Sequence, residues 1–393
     1  MSDKAWLVDE ELVKEARNFI QQALSISNEN LAVIYHGDGD GCCSAYFASR
    51  FLKRLGAKQI SYRWVSTADF DFKCLEKPLL KNKPNLAIFL DLPIYTRADF
   101  LRTLRRKSKI FIYDHHQPGR FAGSNLPDKT KFLYINPVIH QDGSTPATTF
   151  AWQLNGENDL LAKEVLFMGL YTESWAFGAP FFQDMSQEHK NKLKEVARAI
   201  HSSFLVQNMN SVHYALNFLL SLDRPIAEIE NLDENRGYQI LKGIYKLVQN
   251  EKEWLLHLIM QDMKKMPQPR YVLKRIDSSL RLCGIIASEL RWRYPELVVG
   301  IWQKWRNLYY CELRKGKECP INLVELIEEI KKEAQLTTGG GHPEAAAFTA
   351  NEPHFKKALE KIKELMKDYI RRRREEKEKE LKEKKEEEIG SEQ

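Results

Sequence analysis

Lys109-Ile110-Phe111-Ile112-Tyr113-Asp114-His115-His116 is an apolar run of strand length that stops abruptly at an acid and two imidazoles. Two other runs end the same way. Leu31-Ala32-Val33-Ile34-Tyr35 leads into His36-Gly37-Asp38-Gly39-Asp40-Gly41, and Leu86-Ala87-Ile88-Phe89-Leu90 leads into Asp91. In an open α/β sheet, ligands sit at the carboxyl ends of parallel strands. Three such strands that deliver His and Asp to one edge point to a metal site.

Working outward, strand-like and helical segments alternate. A helix is expected over 5–27, a strand over 31–35, an acidic glycine loop, then a helix from Ser44 to Leu55. Strands follow at 60–65, 86–90, 109–113 and 132–135, with helices near 95–106, from Pro146 to Leu154 and over 160–171. This alternation predicts a doubly wound parallel sheet. From Ser186 to Met266 the pattern turns helical, which reads as packing scaffold without chemistry. Past Pro267-Gln268-Pro269, strands and helices alternate again up to the loop Thr337-Thr338-Gly339-Gly340-Gly341-His342. The expected division is a catalytic α/β domain over 1–185, a helical insertion or linker over 186–269, a smaller α/β domain over 270–368 and a charged tail over 369–393. Interleaved Lys and Glu make that tail a solvated extension, with Arg371–Arg374 as its one basic run.

The 393 residues leave room for two or three domains, and 43% hydrophobic with 29% charged residues describe an ordinary globular chain. A net charge of +6 is compatible with a polyanionic partner without requiring one. Six cysteines form no CxxC pair, so they read as reduced thiols in a cytoplasm and argue against structural zinc. No apolar run approaches a membrane span, and the first residues carry no signal-peptide core.

Carboxylates mixed with imidazoles suit Mn²⁺, and Mg²⁺ less well. A calcium loop at Asp38 would need an acid at its twelfth position, which is Ser49. Neighbouring side chains of an extended chain point to opposite faces, so His115 and His116 are expected to diverge. One would ligate while the other supports the site or meets substrate. Asp91, alone at its strand end, is well placed to bridge two ions. Trp175, Phe177, Phe181 and Phe182 either stack unpaired bases or pack the core beneath the site.

This set of motifs resembles the DHH phosphoesterase superfamily. It comprises HxDxDG (His36, Asp38, Asp40), a second-motif acid (Asp91) and Asp114-His115-His116 itself. Gly339-Gly340-Gly341-His342 and the following Ala345–Ala347 resemble the DHHA1 domain that accompanies it, and Arg314 resembles that domain's substrate-binding arginine. The resemblance implies one ion on His36, Asp38 and Asp91, and a second on Asp40, Asp91, His115 and a fourth-motif acid. The family usually has Asp there; here Gly169-Leu170-Tyr171-Thr172 leads to Glu173. The candidate catalytic residues are then Asp40, Asp91, Asp114 and His116, and the candidate substrate contacts are Arg314, Gly339, Gly340, Gly341 and His342.

Within the superfamily, size, the HxDxDG form and the helical insertion resemble archaeal RecJ-like nucleases, among them the Hef-associated nuclease. That resemblance implies a two-ion, manganese-dependent exonuclease which trims single-stranded DNA or RNA from the 3′ end in repair or replication. It leaves open a helicase or nuclease partner of the Hef kind and a homo-oligomer. Two other readings stand beside it. One is the same chemistry on nanoRNA or a small nucleotide, as phosphodiesterase or phosphatase; the other is a non-catalytic scaffold.

Overall fold

The computed structural model describes residues 6–66, 69–94, 97–116, 130–140, 144–176, 179–206, 209–265, 271–305, 307–336, 338–369 and 371. The tail beyond 371 and Phe177 lie outside these residues. The chain forms two compact units, Met1–Asn250 and Glu251–Gln393.

The first unit carries the expected parallel sheet. Its strands are β1 (Leu31–His36), β2 (Ile60–Val65), β3 (Leu86–Leu90), β4 (Lys109–Tyr113) and β5 (Phe132–Ile135), in the order β2-β1-β3-β4-β5. β3 is buried at every residue, as are Leu31–Tyr35 of β1 and Ile110–Tyr113 of β4. A strand covered on both faces has no solvent side to alternate with, which is why these stretches read as continuous apolar runs. β2, at one edge, alternates exposed and partly buried positions over most of its length instead.

Helices cover both faces. α1 (Glu10–Ile26) buries the stripe Val13, Ala16, Phe19, Ile20, Ala23 and Leu24, and starts at Asp9, whose side chain accepts a hydrogen bond from the Glu11 amide. α2 (Gly39–Arg54) begins five residues earlier than the sequence suggests, because Asp38 caps it by accepting from the Gly41 amide. The acidic glycine stretch is therefore the first turn of a helix rather than a loop. α3 (Asp69–Asn82) is unanticipated: Pro78 lies inside it and reads as a breaker, yet Leu75 and Leu79 still bury one turn apart. α4 (Ala98–Arg105) and α3 share an apolar layer with Ala32, Ile34, Phe89, Ile110 and Ile112 on one face of the sheet. The short α5 (Pro137–His140) follows β5. α6 (Ala147–Asn155) stacks Phe150 on Tyr113 of β4 at 4.1 Å, and α7 (Leu160–Thr172) packs on α2.

The stretch read as a separate helical body is divided between the units. α8 (Gln187–Leu205) and α9 (Met209–Leu220) pack on α7 and α2 in the first unit, and α10 (Arg236–Lys264) runs through the division. The second unit holds β6 (Tyr271–Arg275), α11 (Cys283–Arg293), β7 (Val298–Trp305), β8 (Leu308–Lys315), α12 (Leu323–Ala334), β9 (Gly340–His342), β10 (Ala345–Ala350) and a helix over 352–369. Its sheet runs β6-β7-β8-β10-β9, with β6 and β7 parallel and the other pairs antiparallel. One face buries Leu313, Ile327, Phe348 and Phe355, and α11 lies on β7 and β8. Among the described residues, no helix is long and apolar enough to cross a membrane.

Candidate metal centre

Strand register sets the site. Tyr35 pairs with Leu90 and Leu90 with Tyr113, so the next residues, His36, Asp91 and Asp114, leave three adjacent strands at one level. The last rung holds their backbones: Asp91 N donates to Tyr113 O at 2.9 Å, and Asp114 N donates to Ile135 O at 3.2 Å. The strand order reverses between β1 and β3, which is where such sheets open a crevice for ligands.

Asp91 adopts a φ of +60°, a left-handed conformation that Asp reaches more readily than most residues. Its two oxygens then address different imidazoles. His115 Nε2 lies 3.0 Å from Oδ1, while His36 Nδ1 lies 3.4 Å from Oδ2 and 3.0 Å from Asp38 Oδ2. Two triplets of ligand-capable atoms result, His36/Asp38/Asp91 and Asp91/His115/His116, each within 4.8 Å, and Asp91 belongs to both.

His115 and His116 do not diverge as alternation along a strand would have them. β4 ends at Tyr113, so the period-two rule has lapsed by residue 115. Their ring centroids are 4.9 Å apart, and both rings approach Asp91 Oδ1, His116 Nδ1 at 3.9 Å. They differ in support. His116 Nδ1 is 2.7 Å from Asp114 Oδ1, and Asn136 Nδ2 donates to the His116 carbonyl at 3.0 Å. Ser144 Oγ donates to the His115 carbonyl at 2.8 Å and lies 3.2 Å from His115 Nδ1.

Asp40 and Glu173 belong to neither triplet but border both. Asp40 is fully buried in the first turn of α2, where its oxygens accept from Ala147 N at 2.8 Å and Thr148 N at 2.9 Å; Oδ2 also lies 3.8 Å from His115 Nε2. A carboxylate has about four lone-pair positions, so those two bonds leave it able to ligate. Glu173 is delivered by packing. A Cβ on Gly39 would meet Thr172 at 2.3 Å, and one on Gly169 would meet Thr148 at 2.2 Å. Only glycines let α7 press against α2 and α6 closely enough to bring its C-cap, Glu173, to the acids.

The electrostatics record a surplus of buried acid. Burial, then the Asp91 charge, push the Asp40 carboxyl up to about 8; burial, then Asp38, push Glu173 up to about 7. Burial opposes charge on His36 and His115 too, yet the facing carboxylates outweigh it and raise both to about 10. Burial alone would raise Asp91, but the His115 and His36 imidazoles hold it well below the usual carboxylate range. Asp114 Oδ2 is buried without a hydrogen-bond partner, and His36 Nδ1 faces carboxylate oxygens, Asp38 Oδ2 at 3.0 Å and Asp91 Oδ2 at 3.4 Å. Oxygen and imidazole donors, crowded acids and an orphaned carboxylate oxygen fit divalent cations.

Three contributions escaped the sequence. The Phe204 ring of α8 packs edge-on against His36 at 4.9 Å. One turn earlier, His201 lies in the field of Asp38 and His36, its Nδ1 buried and unpartnered. A helix read as inert scaffold thus walls the site. The strip Ser144–Thr148, read only as a helix start, supports both His115 and Asp40. Of the described aromatics in that run, Phe182 is buried against Phe167, while the partly buried Trp175 packs edge-on against Trp6 and Phe181 lies against Trp152.

In the second unit, Arg314 Nη1 donates to Glu312 Oε2 at 2.6 Å and to Leu313 O at 3.0 Å. Gly341, at φ +150°, could not carry a side chain, since its Cβ would meet Ala345 O at 2.2 Å; Gly340 faces open space. Gly339 has φ +147°, and His342 pairs with Ala345 through the backbone.

Two family models match, DHH family, N-terminal domain, over residues 30–169 and DHHA1 domain over residues 269–368. No curated protein matches the sequence. Among solved structures, the chain is similar to RecJ from Thermus thermophilus in complex with Mn²⁺, at TM-score 0.67 and 18% identity, covering 93% of this chain and 56% of that one. It therefore spans little more than half of that RecJ. It is also similar to an exonuclease RecJ bound to manganese (TM-score 0.65, 17% identity, 90% and 94% covered) and to Cdc45 from Entamoeba histolytica (TM-score 0.55, 9% identity, 92% and 100% covered). With both domains in order, the chain belongs to the DHH/DHHA1 superfamily, and its fold is similar to that of RecJ.

Proposed function

We infer that the protein is a two-ion phosphodiesterase, best served by Mn²⁺, that degrades single-stranded nucleic acid from the 3′ end. The observation that carries the two-ion reading is Asp91, whose Oδ2 faces His36 while its Oδ1 faces His115. His36, Asp38 and Asp91 would hold one ion; Asp40, Asp91, His115 and Glu173 would hold the other. When bound, such a pair neutralises phosphoryl charge and activates water for in-line attack.

The chain's own groups would do the rest. Asp114 fixes His116 through Nδ1, which leaves Nε2 of a one-third-exposed side chain to meet the substrate and carry a proton to the departing oxygen. Asp40, anchored on two backbone amides, is held rigid. In the second unit, the open side of Gly340 together with Arg314 would receive phosphates away from the cut. The RecJ fold supports a nucleic-acid strand over a small nucleotide as substrate. On the resemblance alone, we extend the reading to repair or replication beside a Hef-like partner.

End-labelled DNA and RNA oligomers with Mn²⁺ test this. Blocking the 3′ end should stop the ladder and blocking the 5′ end should not. Cleavage confined to two- to five-residue oligomers would favour the small-nucleotide reading, and reversed blocking would overturn the polarity.

A further inference from the structure

We propose that Ser144 is a positioning residue that selects which nitrogen of His115 is offered to a cation. The inference rests on the two-ion reading of the site. A serine hydroxyl has one proton to donate. The His115 carbonyl, at 2.8 Å, is the nearer acceptor for it, so the longer contact from Ser144 Oγ to His115 Nδ1, at 3.2 Å, is best met with the hydrogen on Nδ1. With Nδ1–H committed, the lone pair falls to Nε2, the atom 3.0 Å from Asp91 Oδ1. Imidazoles that bind cations generally have their second nitrogen fixed in this way.

The surroundings make Ser144 more than an incidental contact. It opens a strip tied down at every step: Tyr113 Oη donates to Thr145 O at 2.9 Å, Ala147 N and Thr148 N donate to Asp40, and Thr148 Oγ1 donates to Asp40 O at 3.0 Å. One short segment thus orients two groups proposed for the same cation position, His115 and Asp40. Its neighbour needs no serine, because Asp114 already fixes His116 Nδ1. Without the Ser144 hydroxyl, the one hydrogen that His115 keeps when a cation binds would have no acceptor at Nδ1 and would compete with the ion for Nε2, beside Asp91.

Mn²⁺ titration of full-length wild type, Ser144→Ala, Ser144→Thr and His115→Ala, by calorimetry and by the electron paramagnetic resonance of bound Mn²⁺, tests this. Ser144→Ala should weaken one of the two Mn²⁺ sites about 10- to 100-fold and leave the other unchanged. Ser144→Thr, which keeps the hydroxyl, should stay within about threefold of wild type, well short of that loss. Melting in chelator should be the same for wild type and Ser144→Ala. Wild-type binding by Ser144→Ala, equal losses in Ala and Thr, or a lowered melting point of Ser144→Ala in chelator would overturn the proposal. His115→Ala separates the two ideas. If it loses one site while Ser144→Ala does not, the two-ion reading stands and Ser144 falls. If it retains both sites, two ions bind without His115 and the proposal falls; a single Mn²⁺ site in wild type would overturn the two-ion reading itself.

Discussion

The strand ends of the first unit and the glycine hairpin of the second handle polar groups in opposite ways. At the strand ends Asp38, Asp40, Asp91, Asp114 and His115 are nearly or wholly buried and lean on one another. In the hairpin Gly341 and Glu344 are exposed, the backbone makes the contour, and Arg314 is held by its own strand. Buried like charges in a crevice are costly unless a compensating charge joins them. An exposed, glycine-shaped edge costs little and can wait for a ligand from solvent. On the proposed function, the first region would retain a small cation and the second would meet something transient.

The comparison breaks first at Asp91. Asp91→Asn should lower turnover about a thousandfold or more, because one substitution weakens both ion positions. Bound Mn²⁺ should fall with it while the melting point in chelator holds. Wild-type rates would end the two-ion reading.

Arg314→Ala comes next, and it should act on length rather than chemistry. Loss of a charge-assisted contact is worth roughly 1.5–3 kcal/mol, so cleavage of oligonucleotides should slow by about ten- to a hundred-and-fifty-fold. A small chromogenic phosphodiester should be spared and metal content unchanged. Equal losses on both substrates would mean that the second unit does not serve to hold the strand.

Glu173→Gln sharpens the first region. As the loss of a proposed ligand, it should weaken Mn²⁺ binding by about tenfold or more, at least what removing a group behind a ligand costs, while Glu173→Asp should bind as well as wild type. An unchanged titration for Glu173→Gln would mean that the fourth acid lies elsewhere.

The smallest effects sharpen the hairpin. Gly341→Ala forces both a strained φ and a clash with Ala345 O, and should cost roughly 1–3 kcal/mol of stability in thermal melts. Gly340→Ala should leave stability within about 0.5 kcal/mol yet weaken oligonucleotide binding. Matching melting points for the two variants would refute this division of labour.

Sequence made the sheet and the site plain where one physical cause acted alone. β1, β3 and β4 are covered on both faces, so their apolar runs and terminal acids stood out. Where two causes compete, sequence misled. Asp38 to Gly41 satisfies turn chemistry as well as a capped helix start, and only the tertiary contact with Thr172 shows why Gly39 is needed. Pro78 hid α3 for the same reason. His201 and Ser144 carry no spacing signal at all, since they reach the site through packing of α8 and the loop before α6. Residues 115 and 116 obeyed no periodicity because the strand had already ended.

On the two-ion reading, the acids gathered at the strand ends would also tie the abundance of this protein to the metal supply of its cell. A cation site that exists only in the folded chain turns ion binding into folding free energy. At a free ion concentration one hundred times the dissociation constant, that contribution is about 2.7 kcal/mol per site. When ions are scarce that contribution is lost, and the unfolded fraction exposed to proteases grows. Metal starvation would then lower the amount of protein as well as its rate.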